Sequence, residues 1–185
     1  MNKKEIYRYL RYGKNTPDED VERLIDECIE EYSKEIFPCS TYQIYPCTEC
    51  DDGIMLGEIL LKGRSIKRCL HGCSRAVLFA ATLTQRADFI IKKTSITDMA
   101  KAAVFQAVFA QGIEEYIDSQ EAQIEANEHV KLRPRFSPGY GDLPLETQRE
   151  IFRCLDLTKR LGITLTDGCL MVPTKSVTAV IGINE

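Results

Sequence analysis

Apolar positions along the chain recur with two different spacings, and the change from one to the other divides it into blocks. Lys3 to Tyr12 reads as a short helix. Thr16-Pro17-Asp18-Glu19 then offers a capping box with proline at the first helical position, which predicts a second helix from there to about Phe37. Val21, Leu24, Ile25, Cys28 and Ile29 fall on one face of it, and the acids of DEDVERLIDECIEE fall on the other. From Ser40 the period shortens. TYQIYPC and GIMLGEILLKG flank CTECDDG and predict a β-hairpin or two neighbouring strands.

SIKRCLHGC reads as a short helix, and RAVLFAATLT as a buried strand followed by a helix. Thr97 or Asp98 caps a long segment, MAKAAVFQAVFAQGIEEYIDSQEAQIEAN, apolar on most sides at first and polar later, which predicts a central buried helix. LETQREIFRCLDLTKRLG has helical periodicity and a stop at Gly162. The tail reads as strands broken at Pro173. Helices and strands do not alternate regularly, so the pattern favours an α+β fold: a mixed antiparallel sheet with a long central helix and flanking helices. The expected organisation is an N-terminal helical segment, 1–38, joined to a unit over 39–185 in a single globular body.

At 185 residues the chain is long enough for a core without metal or disulfide support. A net charge of -4 with no basic cluster argues against a nucleic-acid partner. The longest apolar reach, Met99 to Ala110, is interrupted by Lys101 and Gln106 and is too short to span a membrane. No apolar stretch of signal-peptide length follows the basic residues at the start, so a cytosolic protein is expected. There the eight cysteines would be thiols or metal ligands rather than disulfides. Cys47 and Cys50, with Cys69 and Cys73, have spacings that could hold zinc, with Cys39 and His71 as spare ligands. The second pair is one residue too long, and free thiols are the preferred reading.

Acid–base or nucleophilic catalysis has little support. The two histidines, His71 and His129, lie outside any hydrolase signature, and no phosphate-binding glycine motif occurs. The chemistry concentrates instead in RPRFSPGYGDLP, Arg133 to Pro144. Pro138 fixes one backbone angle, Gly139 and Gly141 admit turns closed to other residues, and Tyr140 is presented between them with the neighbouring amides expected to be free. Arg135 offers a planar fork suited to a carboxylate. On local sequence alone, a proline-rich connection before a helix explains the same residues.

Arg135, Pro138, Gly139 and Tyr140 form R-x-x-P-G-Y. Pro144, an amphipathic helix, Leu161-Gly162-Ile163, Leu165-Thr166-Asp167 and Met171-x-Pro173-x-x-Ser176-Val177-Thr178 follow in order. This series resembles the activation domain of cobalamin-dependent methionine synthase. The similarity covers Arg135 to Ile183, extends weakly to VLFAATLT and the long helix, and is slight over the first sixty residues.

The resemblance implies a domain that binds S-adenosylmethionine and caps a corrinoid in its inactive state, so that reduction and methylation restore it. In that reading the cofactor carries the chemistry and the protein orients the methyl donor. Arg135 would contact S-adenosylmethionine, and Pro138, Gly139, Tyr140 and Gly141 would form the loop between that ligand and the corrinoid. Asp167 and Ser176 would support the terminal strands, and Lys175 could face a partner. Gln111 stands where the family has a glutamate, and the family's later paired-tyrosine segment has no counterpart before Glu185. The implied role is that of a free-standing activation subunit for a methionine synthase lacking its own activation domain. Cobalamin would be carried by that partner and electrons supplied by a donor protein. Two alternatives stay open: a scaffold protein that has kept the fold and lost S-adenosylmethionine, and an activator of another corrinoid methyltransferase.

Overall fold

A computed structural model describes residues 1–13 and 15–184. Its elements are α1 (Lys3–Tyr9), α2 (Glu19–Glu35), β1 (Cys39–Cys50), β2 (Gly53–Leu56), β3 (Ile59–Lys62), α3 (Arg64–Leu70), β4 (Arg75–Thr82), α4 (Thr84–Thr97), α5 (Met99–Glu128), β5 (Lys131–Leu132), α6 (Thr147–Leu155), α7 (Leu157–Leu161), β6 (Thr164–Leu165), β7 (Met171–Val172) and β8 (Ser176–Asn184). Six strands form one antiparallel sheet in the order β3-β2-β1-β4-β8-β5, and β6 pairs with β7 apart from it.

The apolar run of β4 is continuous because both of its faces are covered. Val77, Phe79 and Ala81 point into a core shared with α1, α2, α4 and α5, whereas Ala76, Leu78 and Ala80 point into a second core with α3, α6, α7 and the β2–β3 hairpin. α5 carries the first core along most of its length, and α2 approaches it so closely that a Cβ on Gly112 would lie 2.6 Å from the Tyr32 ring. The helices of the first forty residues thus pack on α5, Ile6, Ile25 and Cys28 being fully buried there.

Several boundaries differ from the sequence reading. α1 stops at Tyr9 because Arg11 and Gly13 take left-handed backbone angles. α2 is capped by Asp18, whose carboxylate accepts from the Val21 N–H at 2.9 Å, so the cap lies two residues past Thr16. The helix expected over 145–162 is cut in two at Asp156, which adopts φ 50° and turns Leu157 into the second core. Asp98 is the cap of α5 and accepts from the Lys101 N–H.

No disulfide joins the cysteines. Among the described residues no group of three or more His, Cys, Asp or Glu side chains is arranged to hold a metal ion. Burial, reinforced by neighbouring Cys73, pushes the Cys47 thiol up to about 11. No helix among the described residues is long and apolar enough to cross a membrane.

Candidate functional site

The site is made by a strand losing its neighbour. β5 and the residues after it run along the outer edge of β8: Lys131 and Leu132 pair with Asn184 and Ile183, Arg133 N–H donates to the Gly182 carbonyl, and Phe136 bridges to Val180. Beyond Phe136 the chain peels away through Ser137 and the buried Pro138. Among the described residues the start of β8 is left without an outer strand partner there. A cleft of about 400 Å³ opens at this point, with Ser176, Val177 and Thr178 as its wall, Phe136 to Pro138 and Tyr140 as its rim, and Glu114 and Arg135 on the α5 side.

Arg135 is held by three carboxylates spaced along one face of α5. Its Nη2 donates to Glu114 at 2.5 Å, and Nη1 donates to Asp118 at 2.8 Å and Glu121 at 3.0 Å. Burial disfavours the charge, but these bonds outweigh it and hold the Arg135 pKa above its ordinary value. Burial likewise pushes Glu121 up, and Arg135 opposes that shift. A guanidinium has five N–H groups. The carboxylates take three and leave Nε–H and one Nη2–H. One cation among three anions also leaves this face of α5 net negative beside the cleft, whose own lining takes only Glu114 from the three.

The loop is anchored at both ends of its turn. Gly139 (φ 88°) donates to the Leu143 carbonyl at 2.9 Å, and Tyr140 N–H donates to the Ser137 carbonyl at 3.2 Å. Both amides are therefore used internally, and that of Gly139 runs contrary to the expectation that the amides neighbouring Tyr140 are free. Gly141 N–H is the one between them and Asp142 without such a bond among the described residues. Gly141 (φ 56°) sits where a Cβ would meet Ser65 Oγ at 2.6 Å. Asp142 then caps α3 from outside, accepting from Arg64 N–H at 2.7 Å and Ser65 N–H at 2.9 Å. Those backbone bonds depress its carboxyl from 3.8 to about 2. Tyr140 itself remains 68% exposed at the mouth of the cleft.

Arg135, Pro138 and Tyr140 line the cleft, while Gly139 and Gly141 shape its loop from behind. Ser176 is buried, with Oγ 2.8 Å from both Thr82 Oγ1 and the Pro173 carbonyl. Lys175 turns inward, where its ammonium donates to the Gln106 carbonyl and burial lowers its pKa. The Asp167 carbonyl accepts from Arg149. Gln111 is buried and its amide donates to Glu115.

The carboxylate set of α5, and Gln148, whose side-chain oxygen accepts from the buried Thr178 hydroxyl at 2.7 Å, were not singled out in the sequence. The spacing of Glu114, Asp118 and Glu121, four and then three residues apart, is the signal that marks one helix face. Asp88 accepts from both the N–H and the hydroxyl of Thr174, which ties α4 to the loop between β7 and β8.

Residues 118–185 match the family model of the vitamin B12 dependent methionine synthase activation domain. Among solved structures, the chain is similar to the crystal structure of the MetH reactivation domain bound to AdoHcy. The TM-score is 0.72 at 15% identity, over 95% of this chain and 71% of that one. No curated protein sequence matches it. The likeness in fold takes in the N-terminal elements, where the sequence resemblance is slight. The chain has the fold of the methionine synthase activation domain, and from Asp118 onward it carries that family's sequence pattern.

Proposed function

We propose that this protein binds S-adenosylmethionine in the cleft beside Arg135 and docks on the cobalamin domain of a separate methionine synthase, where it supports reductive remethylation of the inactive corrinoid. The observation that carries this reading is the cleft itself. It lies between the outer edge of the start of β8 and the Arg135–Gly141 loop, and apart from Glu114 its lining falls in the segment matched by the activation-domain family. The related MetH domain was crystallised with AdoHcy.

The residues suit the ligand's charges. Two N–H groups of Arg135 are available to a carboxylate, and the negative excess of Glu114, Asp118 and Glu121 favours an α-ammonium and a sulfonium. S-adenosylmethionine supplies an electrophilic methyl group. The chain's own part is to orient that methyl toward the mouth, where exposed Tyr140 meets the partner, and to exclude water. None of its side chains needs to act as a nucleophile. An external donor protein supplies the electron, and the cobalamin stays with the partner throughout.

Isothermal titration of the full chain tests the ligand. S-adenosylmethionine should bind more tightly than AdoHcy, which lacks the sulfonium charge, and the difference should shrink at high salt. Arg135→Lys, which keeps the charge and loses the fork, should weaken both. Absence of binding, alone and with a methionine synthase present, would overturn the reading in favour of a scaffold protein. Return of methyl transfer by an inactivated methionine synthase, on adding this chain with an electron donor, tests the docking.

A further inference from the structure

The first part of β1 is a bare edge. β4 pairs with it over Cys39–Pro46, but on the other side β2 pairs only with Cys47–Cys50. Burial follows the same division: Cys39 to Tyr45 are all half-buried or exposed, and Cys47, where β2 begins, is buried. The direction of the backbone groups can be read from two bonds. Cys47 N–H donates to Ser74 on the β4 side, while the Pro46 carbonyl accepts from Gly57 N–H on the β2 side. In an unbroken antiparallel ladder these directions alternate. Ser40, Tyr42 and Ile44 therefore aim N–H and C=O away from β4, and no backbone partner meets them among the described residues.

Edges of this kind are ordinarily protected by lysine, proline, a bulge or brevity. Here Phe37 to Thr48 contains no charged residue, and no proline occurs between Cys39 and Tyr45. The register with β4 runs without a bulge. We propose that this edge pairs with a second copy of the chain, β1 against β1 in antiparallel register about a two-fold axis at Tyr42.

Three features favour a copy as the occupant. The open stretch, Cys39 to Tyr45, is symmetric about Tyr42, so an antiparallel copy fills it end to end without reaching the Pro46 carbonyl that Gly57 already occupies. Centred there, Tyr42 faces Tyr42 of the partner subunit and Ser40 faces the partner's Ile44, so every outward N–H meets an outward C=O. The segment also carries no charge to repel its copy, although the chain as a whole carries -4. With ordinary strand spacing the two β8 strands would stand roughly 24 Å apart across the joint sheet. Both clefts, on the far side of β8, would stay open.

Sedimentation velocity of the full chain over a concentration series tests this, together with amide hydrogen exchange at the two extremes. A reversible dimer is expected, with the Ser40, Tyr42 and Ile44 amides protected at high concentration and released on dilution. Thr41 and Gln43 amides, directed at β4, should be protected at both. Gln43→Lys, at an exposed position, should leave the melting temperature of the monomer unchanged and weaken the dimer about tenfold by placing charge opposite the partner's Thr41 and its Arg160. A chain that sediments as a monomer throughout would overturn the proposal. So would a dimer indifferent to Gln43→Lys, or outward amides whose exchange ignores concentration.

Discussion

Arg135 belongs to the fold as much as to the cleft. With the guanidinium removed, Glu114, Asp118 and Glu121 repel one another on one face of α5, so Arg135→Ala should cost about 1–2 kcal/mol at neutral pH. That is less than for a fully buried ion pair, because Arg135 is 26% exposed. Burial already raises the Glu121 pKa, and losing Arg135 raises it further. A carboxyl held more basic in the native state adds stability below that pKa and loses it as the pH rises through it. The deficit of Arg135→Ala in thermal melts should therefore be smaller in mild acid than at neutrality. Asp142 titrates in the opposite sense. Its carboxyl is depressed to about 2, so the stability it adds is complete above its ordinary 3.8 and lost as the pH falls toward about 2. Asp142→Ala should remove that acid limb and speed proteolysis of the Ser137–Pro144 loop. Gly141→Ala, forced into φ 56° against Ser65, should cost about 1–2 kcal/mol in denaturant melts.

Among the elements, the contact of α2 with α5 is the least tolerant of added volume. Gly112→Ala drives a methyl into the Tyr32 ring and should lower stability by about 1–3 kcal/mol in the same melts. The elements legible in the sequence were those with strong local signals. The long apolar period with Asp98 before it fixed α5, and the continuous apolar run fixed β4. What was not legible depends on distant partners. Asp156 breaks a sequence with unbroken helical periodicity because Leu157 has a core to enter. The free amide expected at Gly139, beside Tyr140, is taken by the Leu143 carbonyl within the turn, which residue types alone do not reveal. The arginine and the glycines could be recognised from their motif. The spacing of the three carboxylates marks one face of α5, but that they surround Arg135 emerges only with α5 placed beside the loop.

For the molecule as a whole, apolar side chains fill two cores on opposite faces of one sheet. Cys47 is held as a thiol by burial, and the described residues offer no set of three ligands. Exhaustive dialysis against a chelator should leave the melting temperature unchanged, and metal analysis of the purified chain should find no stoichiometric zinc. β8 serves at its start as the wall of the cleft and, from Ala179 onward, as a strand buried between the two cores. Such a wall cannot breathe without melting the sheet's interior. A bound small molecule must then leave through the mouth guarded by Tyr140, and a client seated over that ring would act as a stopper, lengthening the ligand's residence without touching its affinity for the wall.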